Sequence, residues 1–197
     1  RNMSESPGEY YTDERWHNWL QRVESEDLDP EDEDSARLLL NLQDDTAIAV
    51  AKILTDFENG EIEEGTALEE LEGIEEVVLA EQEFDSEETA VLIDGVQTSL
   101  MCVLYTAQEY VVGGPAEEGA VPGYIEAAAE AEAEEDMEAA LGYCVQAGTL
   151  VIDGEDLDRE LADELDFGLV AEWVNGLDSL QTALADPEVV EEADDED

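Results

Sequence analysis

Apolar residues recur along this chain at spacings of three and four, the period of a helix that buries one face. Trp16, Trp19, Leu20 and Val23 stand at i, i+3, i+4 and i+7 behind Thr12, which suits an N-cap. Pro30 suits a first helical position, and a long helix is expected from there to Asn59, with Gly60 as its left-handed stop. Its spine reads Ala36, Leu40, Gln43, Ala47, Val50, Leu54 and Phe57, the alternation of fours and threes found where one helix packs lengthwise on another. A second stripe, Leu39, Leu42, Ala49 and Ile53, widens the apolar surface, so this helix is expected to be contacted on two sides and to be central to the fold.

A shorter, more acidic segment, Glu64 to Glu83, reads as two helical pieces split at Gly73, with Val77 to Ala80 a weak strand alternative. Asp85 or Ser86 then caps a second long helix, Glu87 to Val112, stopped by Gly113, Gly114 and Pro115. Beyond Pro122 come an Ala/Glu-rich helix, Gly123 to Glu134, and a small-residue helix, Asp136 to Ala147, suited to close packing. Leu150, Val151 and Ile152 read as an apolar entry to the next helix, since no partner strand is evident. Helices over Glu155 to Leu165 and Phe167 to Ala185 complete the pattern. The expected fold is all-α: one helical domain over 12–186, about seven or eight helices with two long central ones. Residues 1–11 are expected to be a partly disordered N-terminal segment, and 187–197 a frayed acidic tail.

Charge changes this picture more than any motif does. The chain carries 58 Asp plus Glu against 6 Lys plus Arg, a formal net charge of -52, yet 43% of its residues are hydrophobic. Those periodic apolar runs argue against global disorder. Carboxylates spread evenly over a folded monomer repel by about 0.3 kcal/mol per unscreened neighbouring pair. Summed over the surface, the repulsion is roughly 10 kcal/mol at a Debye length of about 8 Å and about 1 kcal/mol at about 3 Å. The first value rivals the stability of an ordinary domain, so a concentrated-salt cytoplasm is expected, with hydrated K⁺ or Na⁺ held non-specifically at the acidic surface. No cluster of Lys and Arg exists to grip a phosphate backbone or an anionic bilayer, so neither nucleic acid nor membrane is an expected partner. The charge-free stretch Gly95 to Gln108 is short and interrupted by amides and hydroxyls, and reads as a buried helix. The first residues, Arg1, Asn2 and Met3, lack a hydrophobic signal segment, so a cytoplasmic site is expected.

Candidate chemistry is sparse. Glu14 and His17 form an ExxH pair, the spacing that shares one metal in di-iron bundles, but His17 is the only histidine and a second such motif is missing. The stretch Thr55 to Thr66 has Gly60 where a calcium loop turns, yet Thr55, Phe57 and Thr66 occupy positions that need oxygen-rich ligands. The glycines of Val111 to Gly119 lack the lysine of a phosphate loop and carry Glu117 and Glu118. Cys102 and Cys144 lie in apolar surroundings and read as reduced core thiols. No catalytic residue, metal set or cofactor is therefore predicted. Among the rare cations, Arg37 follows Glu33 by four, Lys52 precedes Asp56 by four, Arg22 precedes Glu26 by four, and Arg159 lies four from Glu155 and Asp163.

The segments SPGEYYTDERWHNWL, DPEDEDSARLLLNLQDDTAIAVAKIL, DGVQTSLMCVLYTAQEYVVGGPAEEG, EAALGYCVQAG and GLVAEWVNGLDSLQ carry a further signal. Through them the chain resembles, from about Ser4 to Glu192, a haloarchaeal family known only as a domain of unknown function. That resemblance implies a compact single domain in a salt-rich cytoplasm and brings no activity with it.

Two function classes follow. The first is a protein-interaction or adaptor module, acting on a protein partner or by self-association, with Trp16, Trp19, Trp173, Arg37 and Lys52 as candidate contact residues. The alternative is a helical enzyme or small-molecule carrier with a pocket lined by Gln97, Tyr105, Tyr143 and Gln146. Both inherit the charge argument. The melting midpoint is expected to rise steeply between 0.1 M and 2 M KCl, and equal midpoints at the two salts would refute the repulsion estimate.

Overall fold

In a computed structural model that describes residues 10–186 and Val189, the helical periods become eight α-helices, with no strand among the described residues. They are α1 (Asp13–Ser25), α2 (Glu33–Glu58), α3 (Glu64–Val78), α4 (Glu87–Gly113), α5 (Val121–Ala133), α6 (Met137–Ile152), α7 (Arg159–Asp163) and α8 (Leu169–Leu184). The fold is an all-α single domain, as the periodicity predicts.

Local chemistry sets most of the boundaries. The Thr12 hydroxyl accepts from Arg15 N at 3.0 Å and starts α1. Asp32 caps α2 and Glu33, not Pro30, is its first residue, so this helix begins three residues later than the proline suggests, after a turn in which Asp32 N donates to Asp29 O. Gly60, at φ 78°, stops α2 in the left-handed conformation expected of it, while Glu61 N reaches back to Asp56 O at 2.8 Å. Ser86 caps α4 through Thr89 N, and Gly114 terminates it at φ 74°.

Three expectations are corrected. Gly73 does not divide α3, which runs unbroken through it and buries Leu71, Ile74 and Val78 against its neighbours. Packing of that face offsets the modest cost of a glycine inside a helix. Leu150, Val151 and Ile152 are the buried last turn of α6 rather than an entry to α7, and α7 shrinks to five residues. Phe167 lies outside α8 and is 97% exposed. At the ends, Tyr11 is buried ahead of the first helix and Val189 is buried beyond the last, so packing extends past both expected domain boundaries. The remaining residues of the two expected disordered ends, 1–9 and 187–197 apart from Val189, lie outside the described residues.

Helix α4 serves both cores and packs on α2, α3, α6 and α8, while α2 meets α1, α3, α4 and α8. By length and composition α4 is apolar enough to cross a membrane, but half of its apolar window is buried in the fold, which is the behaviour of a core helix. Leu100, Val103 and Leu104 face a core shared with α1, α2 and α3, while Cys102 turns to a second core made by α5, α6 and α8. Both cysteines are free and buried, and burial pushes the Cys102 thiol up to about 12. The small-residue faces of α5 and α6, with Ala128 and Ala131 opposite Ala140, Cys144 and Ala147, form the tightest hairpin of the fold.

The crossing of α8 over α4 depends on one missing side chain. A Cβ at Gly176 would lie 2.3 Å from the Ser99 carbonyl oxygen, a backbone atom that cannot step aside. Gly142 in α6 has nothing within 4 Å of the same construction. Gly176→Ala is therefore expected to destabilise by about 1–3 kcal/mol through overpacking. Gly142→Ala is expected to stabilise by up to ~1 kcal/mol through helix propensity. Denaturant unfolding in molar salt measures both, and equal signs would contradict the close crossing.

Candidate functional site

Where α2, α4 and α8 diverge above that crossing, they enclose a groove of about 330 Å³. Helical spacing builds its walls: Ala36, Leu39, Leu40 and Gln43 stand at i, i+3, i+4 and i+7 on α2, and Leu92, Gly95, Val96 and Ser99 repeat the pattern on α4. Glu172 and Asn175 close it from α8. The floor is fixed by hydrogen bonds from two of its neutral polar side chains, Ser99 and Gln43. Ser99 Oγ donates to Glu172 O at 2.9 Å, and Gln43 Nε2 donates to Ser179 Oγ at 2.8 Å in the interior. With Ser99 committed to a carbonyl, the groove holds no nucleophile paired to a base.

Its upper edge is apolar and uncovered. Leu40, on that edge, is 47% exposed. The upper half of the expected α2 spine is thus corrected: Ser35, Leu38 and Leu39 turn inward, whereas Ala36 and Leu40 are left on the surface. The apolar period on α2 continues past the point where this fold has anything to cover it. Glu172 brings the one carboxylate among the residues lining the groove. Glu172 is raised above its ordinary 4.5 by burial and then by the charge of Asp94, and Asp44 is raised by burial and by Asp178 against a lowering hydrogen bond from Ser179. No basic residue lines the groove.

The other candidate residues scatter. Trp16 is fully buried and Trp173 is 3% exposed, so both belong to the two cores and neither offers a recognition surface. Trp19 is half-buried and donates its indole N–H to Asp45 at 2.8 Å. Arg15 grips the same carboxylate, with Nε 2.8 Å from Asp45 Oδ2 and Nη2 on Oδ1, and lies over the Tyr11 ring. Spacing along one helix cannot find that pair, because its partners sit on α1 and α2. Arg37 lies 4.0 Å from Asp34, not Glu33, with both side chains exposed, and Arg22 stacks over Trp19 in place of pairing with Glu26. Arg159 faces Asp178 on α8 at 3.7 Å. Lys52 is half-buried on α2.

None of the four residues expected to share a pocket lines this groove. Gln97 donates to Val78 O and Ala80 O, both at 2.9 Å, closing the C-terminus of α3. Tyr105 and Tyr143 are surface residues, the latter with its ring 6.5 Å from that of Tyr124, and Gln146 lies half-buried on α6. His17 Nδ1 sits 3.1 Å from Asp13 Oδ1, one turn back along α1. Among the described residues no three His, Cys, Asp or Glu side chains converge as metal ligands would.

The family model described as an uncharacterized protein conserved in archaea (DUF2150) matches residues 9–193. The chain belongs to this archaeal family. No curated protein and no solved structure matches it. The match spans every helix described above, so the α2–α4–α8 groove lies wholly within the archaeal domain.

The raised carboxyl of Glu172 makes the groove visible to pH. A raised acid pKa means that the folded state holds the proton more tightly than the unfolded chain does. The resulting stability is complete below about the ordinary 4.5 and is lost as pH rises through the folded value. Glu172→Gln is expected to flatten the fall of melting temperature above pH 4.5 and to raise stability at pH 7. An unchanged pH profile would show that the carboxyl is solvated rather than held in the groove.

Proposed function

We propose that this archaeal protein is a protein-interaction module, an adaptor of a salt-rich cytoplasm, which docks a partner segment in the groove between α2, α4 and α8. The observation that carries this reading is Leu40, 47% exposed at the end of an apolar stripe and set above the floor formed by Leu39, Val96 and Ser99. A groove of about 330 Å³ accommodates one or two apolar side chains, the anchors that an amphipathic helix presents at i and i+4. The acidic edge at Glu172 and Asp94 then selects Lys or Arg on either side of those anchors. A second copy is the poorer occupant, since each carries a net charge of -52. The same charge supports a surface clothed in hydrated K⁺ or Na⁺ and disfavours nucleic acid and membrane as partners.

Affinity capture in about 2 M KCl, where the Debye length is near 3 Å or less, tests the reading with wild type and Leu40→Glu side by side. The expected result is a stoichiometric protein retained by wild type and lost by the variant. The variant's melting temperature should be unchanged, because Leu40 contributes little to the core. Identical eluates from the two baits would overturn the groove as the docking site.

A further inference from the structure

At the opposite end of α2 a second cavity, of about 550 Å³, has a different chemistry. Its apolar walls are Phe57, Tyr110, Val111 and Ile152, and its two charged groups are Glu58 and Asp153. It lies where three helices finish together: α2 at Glu58, α4 at Gly113 and α6 at Ile152. Each helix C-terminus carries roughly half a negative charge, which proteins commonly offset with Lys, Arg or His in the last turn. None of these three helices has a basic residue in its last turn. The Tyr110 hydroxyl donates to Glu58 Oε1 at 2.5 Å, which fixes that carboxylate against the aromatic wall. Burial first, and then the Glu58 hydrogen bond and the charges of Glu58 and Asp153, hold the Tyr110 phenol in its neutral form.

This combination discriminates among ligand classes. An anion meets two carboxylates and three negative helix ends. A bare divalent cation seeks six or more oxygen ligands, but the side chains lining this cavity supply only two carboxylates and one phenol. A neutral apolar molecule would desolvate the carboxylates without compensating them. A primary alkylammonium satisfies every part of the lining. Its nitrogen donates hydrogen bonds to carboxylates and lies near aromatic rings, while its methylenes cover Val111 and Ile152.

We infer that the cavity between the C-termini of α2, α4 and α6 is a binding site for a small primary amine in its ammonium form, held by Glu58 and Asp153 against the Phe57 and Tyr110 rings. The site is separate from the groove of the proposed adaptor function and stands or falls independently of it.

Titration of the full chain with 1,4-diaminobutane in about 1 M KCl, where surface carboxylates are screened to about 3 Å, followed by amide chemical shifts, tests the assignment. Saturable shifts are expected at Gly114, Asp153 and Gly154, with little change along α1. The double substitution Glu58→Gln and Asp153→Asn is expected to weaken binding by about tenfold or more, the scale of two lost charge-assisted contacts. Because Glu58 and Asp153 are exposed, the fold should persist, and the unchanged remainder of the spectrum checks this. Shifts that grow without saturation, that spread over the acidic helices as they do with added KCl, or that survive the double substitution would overturn the site.

Discussion

The contact on which this structure most depends is the backbone-to-backbone approach of α8 to α4 at Gly176. That glycine lets the α8 axis close on the Ser99 carbonyl, and a second glycine, Gly148 of α6, leaves comparable room for Thr106 and Leu177. Together they draw α4, α6 and α8 into one wall that serves both cores. Leu180 and Ala183 of α8 look into the first core, and Val170, Trp173, Val174 and Leu177 look into the second. The groove is a direct consequence of this crossing. One turn before Gly176 lies Glu172, whose carbonyl accepts from Ser99 and whose carboxyl is held over Gly95 by the same proximity.

Scarcity of cations shapes the polar contacts in a complementary way. With six Lys and Arg for fifty-eight acids, most carboxylates must find neutral donors or stay in water. Tyr10 donates to Asp56, Tyr110 to Glu58, Trp19 to Asp45 and Gln108 to Glu75. Two carboxylates serve as caps for helices that lack their own. Glu155 accepts from Val121 N at the start of α5, and Glu132 accepts from Leu169 N at the start of α8. Glu132 occupies the space a side chain at Gly168 would fill. A negative group at a helix N-terminus is favourable on both hydrogen-bonding and dipole grounds. An acidic chain can thus stabilise tertiary contacts with the charge it has in excess.

Packing against elements distant in sequence decided what local spacing could not. The buried face of α2 near its start is Ser35, Leu38 and Leu39. The stripe continuing through Ala36 and Leu40 is equally apolar in sequence, but it is left to the surface. Gly73 carried a break signal that the buried face of α3 overrode. The leading ion pair joins Arg15 to Asp45 across α1 and α2, out of reach of any i, i+4 rule. Trp16 and Trp173 illustrate the converse: an indole reads equally well as a recognition residue or a core residue, and only the enclosing helices distinguish the two.

By itself the sequence determined the all-α class, the two long helices, the stops at Gly60 and Gly114, and the acidic character of the chain. These follow from periodicity, capping chemistry and charge count, all of which act within a few residues or over the chain as a whole. The tertiary structure alone decided that α4 is shared by both cores, which half of the α2 stripe stays uncovered, and where the two cavities lie. Those outcomes depend on how closely particular backbones can approach, and that distance is set by pairs such as Ser99 and Gly176 whose members are far apart in the chain.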